Sequence, residues 1–354
     1  MVLLLTVCAM TAYAQTSQRE LPDSVLLGYG IETDVRTSPF TIAGVNADAF
    51  TYASAADVSK ALYGKIAGLN VYQGSGSSAD NKSTLSVHGK TPLVLVDGFQ
   101  RDLSDLASLE IESVCLLTDA VSCALYGVRG ANGVLMVTTR RGKASALKVN
   151  AQYSFGLSTQ FRPPVFADAV TYAESVNEAL GNDGLQPRYN DPELKAFADG
   201  AYPYAYPNVD WWKETLNDVG QTHNLRFSFD GGGSRFRYYT VVDYYRDKSM
   251  LKYNTADPRY STKPTDTRLS VRANLDVDIT STTVLKAGLS ARLQELNGTA
   301  YGRNNIMPVI WSTPSAAFPV KNAEGVYGGS PVYGDKNPVA LLMDKGHIRN
   351  MYGT

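Results

Sequence analysis

Histidine and cysteine are both scarce, three of each in 354 residues. That is too few for a cluster-type metal site, and it excludes a zinc finger. Net charge is nearly absent as well. The 33 Lys+Arg against 34 Asp+Glu leave −1, so no basic field exists to attract nucleic acid. Charged residues make up only 19%, below the ~25% of an ordinary soluble domain. The three histidines, His88, His223 and His347, are isolated, and HExxH, GxSxG and Walker sequences are missing, which leaves an enzyme reading without a motif. What is plentiful is tyrosine (22), glycine (30) and proline (16), a composition suited to strands and turns. With 44% hydrophobic residues the chain can bury a core, which argues against disorder. Its length allows about two domains.

The apolar run Val2 to Met10 is shorter than the ~20 residues that span a bilayer. Followed by Ala12-Tyr13-Ala14 and Gln15, it reads as a secretory signal peptide over 1–14, cleaved after Ala14, although it lacks a positive n-region; the alternative is a buried N-terminal strand. Cys8 falls within it, so Cys115 and Cys123 reach a compartment that permits disulfides. They can pair, or serve as two separate small hydrophobes.

Beyond Lys143 the sequence alternates. Leu147, Val149, Ala151, Tyr153, Phe155 and Leu157 are interleaved with polar or small residues, and so are Leu225, Phe227 and Phe229. The pattern repeats over 236–244, 269–279 and 285–293. Each segment therefore has one apolar and one polar face. A soluble β-sandwich, secreted as a glycan-binding or adhesion module, satisfies this as well as a membrane barrel does. Two features favour the barrel. Several segments approach the ~9–11 residues of a tilted membrane strand, and the connections alternate in length. Gly231 to Gly233 and Thr280 to Thr283 are tight, whereas 159–222 and 247–267 are long. Asp276 and Asp278 share a strand face and, in a barrel, look into the lumen. Within the first long connection, Asp168 N-caps an expected helix to Leu180. The aromatic stretch Ala201 to Trp212 is expected to pack the loop, the alternatives being sugar stacking, a lid anchor or an interfacial belt.

The first half reads differently. A helix is expected over Ala55 to Leu69, and strands over Leu69 to Gln73, Ser83 to His88, Leu93 to Val96, Ile111 to Leu117 and Gly133 to Thr139. Asp97-Gly98 is a turn signal, and Asp119 caps a short helix to Tyr126 with Gly127 as its stop. Arg129, Gly130, Ala131, Asn132 and Gly133 call for unusual backbone angles and small side chains.

The run Ile111 to Lys143, IESVCLLTDAVSCALYGVRGANGVLMVTTRRGK, resembles the plug signature of the SusC/RagA family of TonB-linked outer-membrane proteins. Supporting matches are Pro92 to Gly98, Ala61 to Leu69 and Gly28-Tyr29-Gly30. Cys115, Thr118 and the stretch from Asp80 depart from the pattern. The resemblance implies an α+β plug domain followed by the first strands of an antiparallel transmembrane β-barrel. The divisions expected are 15–33 as an N-terminal segment, 34–146 as plug and 147–354 as partial barrel. Asp97, Gly98, Tyr126, Gly127, Arg129, Gly130, Ala131, Asn132 and Gly133 are plug-signature residues with a structural role.

Asp23, Ser24, Val25, Leu26, Leu27, Gly28, Tyr29 and Gly30 resemble a TonB box, an extended segment that adds as a strand to TonB; the alternatives are a disordered leader or a first plug strand. The family's activity implies import of an oligosaccharide or peptide through the outer membrane of a Gram-negative, Bacteroidetes-like cell. A SusD-like lipoprotein would be the partner, with TonB, ExbB and ExbD supplying drive, no cofactor and no metal. A barrel of about 22 strands does not fit in the part after Ala146, where five segments alternate and Gly346 to Thr354 does not read as a terminal barrel strand. The chain is therefore expected to be a fragment that cannot transport alone, because open edges in lipid leave backbone groups unpaired.

Overall fold

A computed structural model describes residues 24–26, 32–34, 37–50, 57–74, 82–252, 261–343 and 347–353. The signal peptide expected over 1–14 lies outside them. The chain divides into two compact units, one of Met1–Tyr72 with Ser83–Thr139, the other of Gln73–Lys82 with Arg140–Thr354.

In the first unit, β1 (Ser24–Leu26) pairs antiparallel with β2 (Glu32–Asp34). A five-stranded sheet is built from β3 (Ile42–Asn46), β6 (Leu93–Val96), β7 (Phe99–Gln100), β8 (Ile111–Leu117) and β9 (Val134–Thr139), after the separate pair β4 (Leu69–Gln73) and β5 (Ser83–Val87). Its order is β3-β8-β9-β6-β7, with β6 parallel to β9 and the other pairs antiparallel. The centre is apolar on both faces. Val114, Leu116, Leu135 and Val137 pack with Phe50, Leu62 and Val87 in one core, while Cys115, Leu117, Val134 and Met136 pack with Leu95 and Cys123 in another. That is why β8 and β9 read as continuous hydrophobic runs rather than alternating ones.

Over 57–69, the described part of the helix expected for Ala55 to Leu69, no α-helix forms. In its place stand a 3-10 turn over Val58–Leu62 and further turns, with Gly64 (φ 65°) and Gly68 (φ 83°) in left-handed conformation. Val58, Leu62, Ile66 and Leu69 are nevertheless all buried. The helical spacing of apolar residues recorded burial on one side, and a succession of tight turns met it.

In the second unit a six-stranded antiparallel sheet runs β10 (Ser145–Thr159), β11 (Val219–Gly232), β12 (Phe236–Lys248), β13 (Thr265–Asp278), β14 (Val284–Thr299) and β15 (His347–Gly353), each hydrogen-bonded to the next in sequence. The last, His347–Gly353, adds a sixth strand to the five alternating segments. That segment pairs with the far end of β14, from Leu293↔Gly353 to Thr299↔His347. At ~3.3 Å per residue the 14-residue β11 and β13 reach about 46 Å, longer than the hydrocarbon core. The β11–β12 and β13–β14 connections are short and lie at one end of the sheet. The other end carries the long connections, which hold α2 (Ala169–Asn182), α3 (Asp191–Asp199), α4 (Trp211–Thr215), α5 (Arg303–Ser312) and α6 (Pro338–Met343). Asp168 caps α2 through the Thr171 amide, 2.8 Å. The aromatic stretch splits in role. Trp211 joins Ile306, Ile310, Phe318 and Leu342 in a loop core, and Tyr206 packs edge-on to Phe197, whereas Tyr202 and Tyr204 are exposed.

Candidate functional site: plug signature and outward-facing sheet

Register fixes what each face of the six-stranded sheet presents. One row across it reads Ala151, Phe227, Val242, Val271, Ala291; its neighbour reads Gln152, Arg226, Asp243, Ser270, Arg292. Leu289 is 74% and Phe155 53% exposed, whereas Arg226 is 1% and Asp266 0% exposed. Arg226 Nε lies 3.2 Å from Asp243 Oδ2. This is the reverse of a soluble sheet, in which the apolar face seeks cover and the charged face seeks water. An uncovered apolar face opposite a paired polar face suits hydrocarbon on one side and a polar environment on the other. It removes the β-sandwich alternative, whose core would be that same apolar face.

The signature residues gather around β8 and β9. Asp97 (φ 49°) and Gly98 (φ 89°) form the two-residue β6–β7 turn, both central residues being left-handed as a type I′ hairpin needs. The Asp97 carboxylate accepts from the Thr139 amide (2.9 Å) and hydroxyl (2.6 Å), tying the turn to the end of β9. Asp119 caps α1 (Ala120–Ala124) by accepting from the Val121 and Ser122 amides, and also accepts from the Thr41 amide. Burial raises its pKa, but these hydrogen bonds, led by the Ser122 hydroxyl, outweigh burial and hold it below its ordinary value.

The strain expected over Arg129 to Gly133 is confined to two glycines. A Cβ on Gly130 would sit 2.6 Å from the Cys123 carbonyl oxygen, and Gly133 has φ 93° with Leu117 O and Val87 Cγ1 each 3.3 Å from a Cβ. Ala131 is an ordinary right-handed residue, and Arg129, Ala131 and Asn132 are exposed. Gly127 is left-handed (φ 59°), and Tyr126 Oη lies 3.4 Å from Met136 Sδ. Cys115 and Cys123 are free and buried, with burial pushing the Cys115 thiol up to about 12. None of these groups forms a catalytic constellation; they hold a sheet, a turn and a crossing in place.

Residues 34–134 match the family model of the TonB-dependent receptor plug domain. TonB-dependent receptor P26 of Formosa agariphila is 28% identical over 356 residues, which cover 93% of this chain and 32% of the relative. TonB-dependent receptor SusC of Bacteroides thetaiotaomicron is 26% identical over 253 residues, 66% of this chain and 23% of its own. In solved structures, the RagAB peptide importer in its open-open state superposes with a TM-score of 0.64 at 22% identity, over 78% of this chain and 33% of that one. The chain carries a plug domain and is similar to SusC/RagA-like TonB-dependent receptors. It spans about a third of the length of two curated relatives that match nearly all of it. Its fold is the plug followed by the opening strands of an incomplete antiparallel barrel.

Of the stretch expected to serve as a TonB box, Ser24, Val25 and Leu26 form β1, whose backbone pairs with Glu32–Asp34; Asp23, Leu27, Gly28, Tyr29 and Gly30 lie outside the described residues. The loop end of the second unit carries a cleft of about 480 Å³ lined by Tyr301, Asn305, Val309, Thr313, Tyr333 and Lys336 among others. Its polar groups are largely engaged within the chain. Thr313 Oγ1 donates to the Val309 carbonyl (2.7 Å), Asn305 Nδ2 to that of Tyr301 (2.9 Å), and the Tyr333 and Tyr172 hydroxyls lie 3.2 Å apart.

Two features escaped the sequence reading. His223 faces outward with Tyr153, whose hydroxyl is 2.8 Å from Nδ1, and its ring centroid lies 5.1 Å from that of Phe155. This is an amphipathic group of the kind found at membrane interfaces, and only register brings it together. The other is the basic-glycine segment Arg140–Lys143, whose carbonyl, amide and guanidinium are bound by side chains more than eighty residues away in sequence.

Proposed function

We propose that the receptor containing this chain imports an oligosaccharide or peptide across the outer membrane, driven by TonB with ExbB and ExbD. The observation that carries the proposal is that one chain holds a plug unit and a sheet whose apolar face is bare and whose charged face is buried over β11–β13. A chain built this way needs lipid on one side of the sheet. The first unit serves as the gate. The segment Asp23 to Gly30 offers TonB a strand to pair with, and a pull on it loosens the gate. A SusD-like lipoprotein lid holds substrate above the loop end while this happens. The family resemblance and the RagAB-like fold support the lid and the substrate class. The long connections and their exposed tyrosines provide the surface where capture would occur.

The test is deletion of residues 23–30 in the full-length receptor. Surface display should be retained while energised uptake is lost. Uptake that survives the deletion refutes the mechanism, and recovery of the protein in the soluble periplasmic fraction refutes the membrane assignment.

A further inference from the structure

The first unit ends at Thr139, and the four residues that follow cross the polar face of three neighbouring strands. The Arg140 carbonyl accepts from Asn274 Nδ2 at 2.7 Å, and the Arg141 guanidinium is ion-paired with Asp276, both on β13. The Lys143 amide donates to Asp230 Oδ1 on β11 at 3.1 Å. Between them Gly142 lies directly on the β12 backbone: a Cβ there would stand 2.3 Å from Tyr238 N and 2.4 Å from Tyr238 O. Asp230, Tyr239 and Asn274 occupy one register row, so the segment runs across the strands rather than along them. The segment is therefore held by bonds to both β11 and β13. Asn274 and Asp276 are buried, and lifting the segment would leave an amide and a carboxylate desolvated without these partners. Only glycine permits so close an approach at 142.

We propose that Arg140–Lys143 is a fixed anchor. It stays bound to the sheet while the preceding unit is remodelled, so that deformation begins on the N-terminal side of Thr139. Asn274, Asp276, Asp230 and Gly142 are positioning residues for the gate. The opposite arrangement, a latch that must release for transport, predicts the reverse response to cross-linking. The inference rests on the reading that a pull on the N-terminal segment drives uptake.

The test uses the full-length receptor carrying R141C and D276C, joined by a short bifunctional thiol reagent; Cys115 and Cys123 are shielded by burial. Closing the cross-link should leave TonB-dependent uptake within about twofold of the unlinked double variant, since the step that moves is elsewhere. A tenfold or greater loss on linking, with uptake intact before it, overturns the anchor. Loss of box dependence in the unlinked variant is a different failure: it removes the pulling mechanism, and the anchor with it. As a second variant, N274A removes the amide that holds the Arg140 carbonyl. It should raise TonB-independent leak of a small dye severalfold at unchanged surface display, and unchanged leak overturns the proposal.

Discussion

Gly133 offers the sharpest check on how the plug signature works. Its φ of 93° lies where a β-carbon is disfavoured, at roughly 1–2 kcal/mol. A Cβ there would also press on Leu117 O and Val87 Cγ1 at 3.3 Å, and Val87 belongs to the close-packed core. Gly133→Ala is therefore expected to cost about 2 kcal/mol. Neighbouring Asn132 is exposed, so Asn132→Ala should stay within about 0.5 kcal/mol. Gly130→Ala meets the Cys123 carbonyl at 2.6 Å and belongs with Gly133→Ala, at about 1–3 kcal/mol. The assay is native-state hydrogen exchange of the β9 amides in the whole chain. The Val134–Thr139 amides should exchange about thirtyfold faster in Gly133→Ala and at the parental rate in Asn132→Ala. If Gly133→Ala exchanged no faster than Asn132→Ala, the signature would be marking something other than backbone geometry.

Three other outcomes are expected. Asp97→Ala deprives the Thr139 amide and hydroxyl of their acceptor and should cost about 1–3 kcal/mol, read as faster exchange of the Thr139 amide, with Asp97→Asn less damaging because asparagine tolerates positive φ. Asp119→Ala should cost ~1 kcal/mol at neutral pH. Because the folded-state pKa of Asp119 is lowered, its contribution is complete above its unfolded value of ~4 and disappears as pH falls through the folded value, so chemical unfolding of parent and Asp119→Asn should converge in acid. Leu289→Lys, on the bare face of β14, should weaken assembly of the full-length receptor into lipid vesicles by about 2–4 kcal/mol near the bilayer midplane, where a water-facing site would show almost no change.

Much of this architecture was legible because local chemistry and long-range packing agree. The alternation over 269–279 appears as β13, since a strand between two different solvents must alternate. The run IESVCLL appears as β8, since a strand covered on both faces need not alternate. Asp-Gly at 97–98 and the caps at Asp119 and Asp168 are satisfied within a few residues of sequence, and each stands where it was expected. The misreading arose where one pattern fits two geometries. Val58, Leu62, Ile66 and Leu69 have helical spacing, yet turns through two left-handed glycines bury the same set. The segment 347–353 is short and weakly patterned, and it becomes a strand because β14 extends far enough to offer its edge.

The sequence by itself determined where strands run, which of their faces is apolar, and which turns are tight, because side-chain chemistry and backbone φ preferences act over a few residues. Only the tertiary structure decided that the apolar face is the uncovered one, because periodicity reports that two faces differ and not which medium each one meets. It alone brought Arg140–Lys143 onto Asp230, Tyr238, Asn274 and Asp276, since hydrogen bonds between residues more than eighty apart depend on strand register, which no local preference encodes.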